Sequence, residues 1–273
     1  MHYQHRYHAG NFADVFKHLL LCGLLRALNR KDKPWMYLET HAGGGLYDLG
    51  GAEAERTGEW REGIGRLQQA PGAPAPLLDY LQQARAFDGA YPGSPLFAQR
   101  LARPQDRLLL CEKVPAVCTE LRLRMAADAR VHVHQRDGYE THALLPPPEK
   151  RGLILVDPPF ERPDEFDAIS DYLRKCVARF GHGVYAVWYP VKNRHEADRF
   201  RRRMMREHPR AGVDLQLHNG AVAEGQMRAC GLCVLNAPFG FAAEMRPSLE
   251  WLARTLAQGP RAEALIEPWE NQA

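Results

Sequence analysis

An apolar run followed at once by an acid, two prolines and an aromatic ring is the feature that most constrains the fold of this chain. Residues 152–161 have the sequence GLILVDPPFE. The continuous apolar run at residues 153–156 is typical of a strand buried on both faces of a parallel sheet. Pro158 and Pro159 lack amide donors and fix φ, so the strand must end before them. Asp157 and Phe160 are therefore expected at the carboxyl end of a central strand, where open α/β sheets bind ligands.

The groups of this turn suit a planar heterocycle that carries an exocyclic amino group. The Asp157 carboxylate and the Pro158 carbonyl can both accept hydrogen bonds from such an amino group, which orients the nitrogen and frees its lone pair. Phe160 can stack on the base. An electrophilic methyl group, such as that of a sulfonium, would complete an in-line displacement driven mostly by positioning. The residues predict amino methylation; a strand that ends in a proline turn with a solvated aspartate is the alternative.

Other predicted strands also end in polar turns. Residues 107–112 (RLLLCE) and 131–137 (VHVHQRD) end at Glu112 and Asp137, and residues 35–40 precede a glycine-rich turn, HAGGG at 41–45. Glycines let a backbone approach a ligand closely, but this is not the G-x-G-x-x-G fingerprint and is weak evidence alone. Each acid alone is an ordinary strand ending. Because parallel strands end at one edge, the turn, Glu112, Asp137 and Asp157 together predict a ligand site in a doubly wound α/β fold.

The N-terminal residues carry a second set of candidates. Residues 2–8 (HYQHRYH) alternate basic and aromatic side chains, which can combine phosphate contacts with base stacking. A frayed terminus with surplus histidines is the alternative. Asn11 or Asp14 is expected to begin a helix with regular apolar periodicity. Asp14, Lys17 and His18 are neighbours on its surface, either as functional groups or as the polar edge of an amphipathic helix.

The strand pattern disappears between residues 50 and 90. Segments around residues 58–69 and 76–87 are rich in Ala, Gln, Arg, Leu and Glu and are predicted to be helices. Because a doubly wound fold needs its second strand soon after its first helix, we interpret residues 50–90 as an inserted helical subdomain. Residues 1–49 and 91–273 would form the main domain with an N-terminal tail on the substrate side. The turn YPGSP at residues 91–95, which contains Ser94, returns the chain to the sheet.

Beyond the central turn, residues 183–191 (GVYAVWYPV) predict another strand, and residues 215–217 and 231–235 predict the last ones. The segment 193–210 is predicted to be a helix, which could bind several phosphates or could present a solvated face. Its seven arginines are Arg194, Arg199, Arg201, Arg202, Arg203, Arg206 and Arg210. The sequence NAPF at residues 236–239 resembles the central turn but lacks the acid, so we expect a strand terminus, although Phe239 could shape the pocket.

Composition sets wide limits. A chain of 273 residues, 45% hydrophobic and 25% charged, is typical of one large α/β domain or of a domain with an insertion. No run of about 18 apolar residues and no signal peptide is apparent, which predicts a cytosolic protein. The six scattered cysteines suit a reduced compartment, and Cys230 and Cys233 are three apart on a predicted strand, so they face opposite sides and do not suit zinc. A net charge of +3 means that a polyanion would need clustered charges.

The sequence resembles the bacterial RlmJ family of large-subunit ribosomal RNA adenine-N6 methyltransferases. Asp157-Pro158-Pro159-Phe160 resembles the [D/N]-P-P-[F/Y/W] motif of amino methyltransferases, which many enzymes share. The N-terminal stretch HAGNFADVFKH is far more specific. The other matching stretches are KPWMYLETHAGGG at 33–45, ERTGEW at 55–60, YPGSP at 91–95, RDGYE at 136–140, RGLILVDPPFE at 151–161 and YAVWYPV at 185–191.

The resemblance implies a class I (Rossmann-like) methyltransferase fold of the α/β class, with a mostly parallel seven-stranded sheet and an inserted helical subdomain. It implies methylation of the N6 amino group of one adenine in 23S ribosomal RNA with S-adenosylmethionine and without a metal. The catalytic residues would be Asp157, Pro158 and Phe160. The cofactor-binding residues would be His18, His41, Gly43, Ser94, Glu112, Asp137, Gly138 and Asp157. The substrate-binding residues would be Tyr3, His5, Lys17 and Phe160.

Two other functions are consistent with the sequence. The nearer is methylation of DNA adenine or another amine, and the more distant is a cofactor-dependent RNA-binding protein without turnover. The intact acid of the central turn argues against the second. We expect a cytoplasmic monomer that acts on 23S ribosomal RNA, either naked or in an early assembly particle, and that does not bind a membrane.

Overall fold

The computed structural model describes residues 4–208, 210–222 and 227–269, in which strands and helices alternate. The helices are α1 Phe12–Asn29, α2 Ala52–Thr57, α3 Ala75–Ala84, α4 Ser94–Leu101, α5 Pro115–Met125, α6 Glu165–Arg179, α7 Arg194–Glu207 and α8 Phe241–Thr255. The strands are β1 Met36–Glu39, β2 Leu46–Asp48, β3 Ala90–Pro92, β4 Arg107–Glu112, β5 Val131–Gln135, β6 Gly152–Val156, β7 Val184–Pro190, β8 Gly212–His218, β9 Ala229–Leu235 and β10 Glu263–Trp269. Short 3-10 helices span His5–Tyr7, Glu59–Glu62, Ile64–Leu67 and Gly138–Leu144.

Within the described residues, eight strands form the central sheet, in the order β10-β8-β9-β7-β6-β1-β4-β5. The strands from β7 to β5 are parallel to one another, whereas β9 is antiparallel to β7 and β8, and β10 is antiparallel to β8. The prediction of a mostly parallel sheet is confirmed, but the count of seven strands is wrong by one. The additional strand, β10, is an edge strand with a proline and several exposed residues, so it lacks a continuous apolar run.

Both faces of the sheet are covered by helices. Leu153 and Leu155 of β6 pack into a core cluster with residues of α1, α4, α5 and α8. Ile154 and Val156 alternate to the other face and pack against α6 and α7. All four side chains are buried, as expected for a strand covered on both faces.

Helix α1 begins where the sequence predicts. The side chain of Asn11 accepts hydrogen bonds of 3.0 Å from the amides of Ala13 and Asp14, which satisfies two amides of the first turn. The helix packs against α3, α4 and α8 and against β6 and β9. Its first turns are thereby fixed beside the carboxyl edge of the sheet.

The segment 50–90 contains α2, two 3-10 helices and α3, and β2 pairs with β3 where the chain leaves and rejoins the sheet region. The helix expected around residues 76–87 is confirmed as α3. The helix expected around residues 58–69 is wrong, because the chain there forms the two 3-10 helices. A Cβ atom at Gly63 would lie 2.1 Å from the carbonyl oxygen of Gly10, and the amide of Ile64 donates a 2.8 Å hydrogen bond to that oxygen. The segment must therefore bend against the N-terminal residues.

Strand β9 settles two further expectations. Cys230 and Cys233 pack into the clusters on opposite faces of the sheet, as expected. Because β9 runs antiparallel to β7, its last residue Leu235 lies beside Tyr185, at the amino edge of the sheet. Phe239 follows there with its side chain fully exposed, so the idea that it shapes the pocket is wrong. Among the described residues, no helix has the length and apolar character needed to cross a membrane.

Candidate active site at the carboxyl edge of the sheet

The site lies where the strand order changes direction. From β1 the chain continues through β4 and β5 on one side, whereas β6 and β7 lie on the other. In open α/β sheets this switch point opens a crevice beyond the carboxyl ends of the strands. A cavity of about 2100 Å³ occupies the crevice. Ligand pockets commonly measure roughly 300–1,000 Å³, so this cavity has room for more than one small-molecule group.

Asp157 follows β6 directly and lines the cavity. Its Oδ2 accepts a 2.5 Å hydrogen bond from Nζ of Lys17, which also lies 3.1 Å from Oδ1 of Asp14. The side chains of Lys17 and Asp14 are 6% and 4% exposed, and that of Asp157 is 14% exposed. Lys17 is therefore a buried cation shared by two carboxylates. Oδ1 of Asp157 accepts no hydrogen bond from the part of the chain that the structure describes.

Asp14 connects Lys17 to the N-terminal segment. Its Oδ2 lies 3.0 Å from Nε2 of His5 and accepts a 2.9 Å hydrogen bond from the amide of Gly10. Burial alone would raise the pKa of Asp14, but the charges of His5 and Lys17 lower it well below its usual value. His5, Asp14, Lys17 and Asp157 thus form one connected polar network from a partly exposed histidine to the carboxylate of the central turn.

The central turn directs an aromatic ring toward the cavity. Phe160 has a φ of 50°, a left-handed conformation that costs a non-glycine residue roughly 1–2 kcal/mol. Its ring lies 5.2 Å from that of Phe166 and 5.9 Å from that of Trp188, in edge-on arrangements. Phe160 and Trp188 both line the cavity. The backbone is therefore held in an unfavourable conformation that places a flat apolar surface three residues after Asp157.

The residues after β1 and β4 are tied together by Glu112. Its Oε2 accepts a 3.0 Å hydrogen bond from the amide of Gly43, and its Oε1 accepts a 2.7 Å bond from the amide of Val114. Gly43 has a φ of 64°, and a Cβ atom there would lie 2.5 Å from the hydroxyl of Tyr47. Glycine is therefore required at this position. A carboxylate has about four acceptor sites, so Glu112 retains capacity for a ligand.

Asp137 follows β5 and also lines the cavity. It accepts a 3.0 Å hydrogen bond from the amide of Tyr139 and forms a 2.8 Å ion pair with Lys113, whose side chain is 71% exposed. Gly138 does not line the cavity. A Cβ atom at Gly138 would lie 2.3 Å from the carbonyl oxygen of Thr40, so glycine here allows the 3-10 helix after β5 to pack against the residue that follows β1.

Glu39, the last residue of β1, lies behind the cavity wall and accepts a hydrogen bond from Ser94, which lines the cavity; sequence reasoning missed it. It is fully buried and accepts hydrogen bonds from the hydroxyls of Tyr37, at 3.0 Å, and of Ser94. Burial, together with the nearby charge of Asp157, raises the pKa of Glu39 to about 8, against the effect of these two bonds. The available signal was its position, because it is another acid at a carboxyl strand end.

The two predicted cofactor-binding histidines are held neutral. Burial, with the charge of Lys17, lowers the pKa of His18 well below its usual value, and Nδ1 of His18 lies 2.8 Å from the hydroxyl of Tyr91. Burial lowers the pKa of His41 to about 4. Its Nδ1 lies 2.8 Å from the hydroxyl of Thr40. At neutral pH both rings therefore contribute hydrogen-bonding and apolar surface to the cavity wall rather than charge.

The N-terminal segment is fastened to the segment 50–90 beside the cavity. Glu59 lies 2.9 Å from Nδ1 of His8 and accepts a 2.9 Å hydrogen bond from the side-chain amide of Asn11. The bond to Glu59 raises the pKa of His8, although burial opposes it. The ring of His5 packs 4.7 Å from that of Tyr47. Two segments that are far apart in sequence thus form one wall.

The cavity brings together most of the residues that the sequence singled out. Gly138 lies behind the wall, and Tyr3 lies outside the described residues. Within the described ranges no group of three or more His, Cys, Asp or Glu side chains could hold a metal ion. The predicted residues that line the cavity are His5, Lys17, His18, His41, Gly43, Ser94, Glu112, Asp137, Asp157, Pro158 and Phe160.

Comparisons with known proteins show the family of this chain. Residues 32–267 match the family model described as ribosomal RNA large subunit methyltransferase D, RlmJ. The chain belongs to this family. It is 38% identical to the ribosomal RNA large subunit methyltransferase J of Escherichia coli K12 over 97% of each chain, and 37% identical to that of Haemophilus influenzae over 93% of each. A crystal structure of a Legionella pneumophila protein covers 96% of this chain and 98% of its own, with 38% identity and a TM-score of 0.89.

Membership of this methyltransferase family identifies the fold as class I and the cofactor as S-adenosylmethionine. The donor set fits that cofactor. The chain has acids, rather than a phosphate-binding loop, at the ends of β4 and β5. Carboxylates can accept hydrogen bonds from the hydroxyls and amino group of a neutral nucleoside. The required glycine conformation at Gly43 also brings backbone to the cavity wall without a side chain.

Proposed function

We propose that this protein methylates the N6 amino group of a specific adenine in large-subunit (23S) ribosomal RNA. The observation that carries the proposal is the position of Asp157. Lys17 fixes its carboxylate at the switch point, and Oδ1 of Asp157 accepts no hydrogen bond from the described residues. The ribosomal RNA substrate is supported by the printed names of the two relatives. The adenine is supported by the aromatic and hydrogen-bonding character of the central turn.

Asp157 and Pro158 act on the amino group of the base. Because Lys17 engages Oδ2 of Asp157, Oδ1 is the oxygen left to accept one N–H of the substrate, and the Pro158 carbonyl accepts the other. Two fixed acceptors hold the nitrogen so that its lone pair leaves conjugation with the ring and points at the reacting carbon. Phe160 stacks on the base, which must first leave its own stack in the RNA.

The residues on the opposite side of the cavity hold the cofactor, which supplies an electrophilic methyl group when bound. Glu112 and Asp137 accept hydrogen bonds from its ribose hydroxyls and adenine edge, and His41 and Gly43 bind its methionine part. The other proposed cofactor contacts are His18, Ser94 and Asp157. No metal takes part. The proposed substrate-binding residues are Tyr3, His5, Lys17 and Phe160.

We also propose that residues 50–90 form a helical subdomain beside the substrate entrance, with residues 1–49 and 91–273 as the methyltransferase domain. The enzyme is a cytoplasmic monomer in this proposal, and its substrate is the RNA before or during early particle assembly. These statements rest on the sequence pattern and the family.

The test is a comparison of substrates. Purified protein is incubated with labelled S-adenosylmethionine and protein-free 23S ribosomal RNA, assembling large-subunit particles, or double-stranded DNA, and the product is digested to nucleosides. We expect label in N6-methyladenosine at one position of the RNA. Label in DNA alone, or in another nucleoside, would contradict the proposal.

A further inference from the structure

The arginine-rich helix α7 separates into two groups that have different surroundings. Arg201 pairs with Asp198 at 3.2 Å and with Glu267, Arg203 pairs with Asp167 at 2.6 Å, and Arg210 donates to the carbonyl of Gly181. Arg201 and Arg203 connect α7 to β10 and to α6, and Arg210, three residues after the end of α7, contacts the turn that follows α6. All three side chains therefore hold the fold together. They are not available to a ligand without loss of those contacts.

The other arginines are exposed. Arg194, Arg199, Arg202 and Arg206 are all exposed, and none has a hydrogen bond or ion pair with the residues that the structure describes. His195, Arg199, Arg202 and Arg206 are spaced four, three and four residues apart, so they share one face of the helix. We call these four residues the α7 stripe. At about 1.5 Å per residue the stripe is roughly 16 Å long.

The α7 stripe starts at the mouth of the cavity. Pro190, Val191 and Lys192 line the cavity, and α7 begins at Arg194, two residues later. Because β8 is parallel to β7, α7 must run from the carboxyl edge of the sheet back to the amino edge. Arg228, exposed on the neighbouring β8–β9 connection, also lines the cavity. Lys192 and Arg194 therefore connect the rim of the active site to the start of the α7 stripe.

We infer that the α7 stripe is a second RNA-binding surface, which binds phosphates of the strand that flanks the target adenine. The inference rests on the proposed function, because it needs an RNA whose target base enters the cavity. Arginines fit this role since they bind phosphates bidentately. Contacts to phosphates position the substrate but do not read its sequence. An RNA is favoured over an acidic protein because the surface continues directly into the cavity that receives the base.

The test uses two full-length triple variants with the same change of charge. The first carries Arg199→Gln, Arg202→Gln and Arg206→Gln. The control carries Arg30→Gln, Arg246→Gln and Arg254→Gln, which replaces exposed arginines at the end of α1 and on α8. Helix α8 packs on the face of the sheet opposite α7. Thermal unfolding and binding of S-adenosylmethionine establish that both variants are folded.

Binding of protein-free 23S ribosomal RNA is then measured between 50 and 200 mM salt. Each lost phosphate contact reduces the slope of log K against log salt by about 0.7–0.9, so three lost contacts reduce it by about 2 to 3. Over this fourfold change in salt, wild type should lose roughly 20–40 times more affinity than the α7 variant. We expect a higher KM for the long RNA, with kcat within about twofold of wild type because the stripe lies outside the cavity. The KM for a six-nucleotide RNA that contains the target adenine should not change.

An α7 variant with the wild-type slope and KM would overturn the inference, and so would an α8 control that loses as much affinity, since net charge alone would then explain the effect. Failure of the proposed function is a different result. Wild-type protein that binds RNA with a steep salt dependence but transfers no methyl group would contradict the proposed function, whereas methyl transfer with an unchanged slope in the α7 variant would contradict only the α7 stripe.

Discussion

Replacement of Lys17 by methionine tests the polar network that holds Asp157. The ammonium lies 2.5 Å from Asp157 Oδ2 and 3.1 Å from Asp14 Oδ1, so these oxygens are at most about 5.6 Å apart. Two unit charges at that separation repel by about 3 kcal/mol at an effective dielectric constant of about 20. Removing one partner of a buried ion pair costs roughly 3–5 kcal/mol. We therefore expect Lys17→Met to lower the free energy of unfolding by about 3–5 kcal/mol at pH 8.

The loss of unfolding free energy in Lys17→Met should be larger at high pH than at low pH. Without the cation, one carboxyl of the pair will have a folded-state pKa above its unfolded value, which is near 3.8. The stability of the variant is then highest below that value and is lost as the pH rises through the raised folded pKa. The difference between Lys17→Met and wild type should therefore be smaller at pH 5 than at pH 8, by at least about 1 kcal/mol.

Urea unfolding of both proteins at pH 5 and pH 8 measures this difference. The matched control is Lys113→Met, which removes the 2.8 Å ion pair with Asp137 from a site where the lysine is 71% exposed. An exposed ion pair contributes about 0–1 kcal/mol. The free energy of unfolding of Lys113→Met should therefore remain close to that of wild type at both pH 5 and pH 8. A deficit for Lys17→Met that is below about 1 kcal/mol, or equal at both pH values, would refute the reasoning.

Two other substitutions test neighbouring parts of the site. Because the folded-state pKa of Glu39 is raised to about 8, the stability that its protonation gives is fully present below about pH 4.5 and is lost as the pH rises through 8. Glu39→Gln should remove this decline in the free energy of unfolding, which is on the order of a few kcal/mol. A variant whose free energy of unfolding falls between pH 5 and pH 9 by as much as that of wild type would argue against this reasoning. Gly138→Ala should destabilise by roughly 1–3 kcal/mol or more, because its Cβ would meet the Thr40 carbonyl at 2.3 Å. Gly89→Ala, with a φ of 68° and no atom within 4 Å, should cost only about 1–2 kcal/mol for its left-handed backbone. Thermal melts that rank these two glycine variants in the reverse order would contradict the packing argument.

The parallel part of the sheet could be predicted because its strands are apolar. The runs RLLLCE and GLILV have few polar residues and end at acids, and β4 and β6 have the bounds that these runs indicate. β10 could not be recognised in this way, since its sequence EALIEPW belongs to a half-exposed edge strand. The prediction of a helix around residues 58–69 was also wrong. Gly63 permits a close approach to Gly10 that a local sequence pattern does not reveal.

The candidate site was only partly visible in the sequence. The positions of Glu112, Asp137 and Asp157 followed from the rule that parallel strands end at one edge. The ion pair between Lys17 and Asp157 joins residues 140 positions apart, so no local signal could reveal it. Glu39 was overlooked because the strand was predicted to span residues 35–40, which placed this acid inside the strand rather than at its end. Its role depends on the hydroxyls of Tyr37 and Ser94, which only the fold brings to it.

The most direct test of the central claim is methyl transfer by Asp157→Ala. Wild type and variant are first shown by calorimetry to bind S-adenosylmethionine and by unfolding to be stable, and each is then incubated with protein-free 23S ribosomal RNA and the labelled cofactor. The account predicts N6-methyladenosine at one position with wild type and its loss, by at least about a hundredfold in kcat, with the variant. A variant that binds the cofactor and still methylates the same adenine at close to the wild-type rate would contradict the role assigned to Asp157.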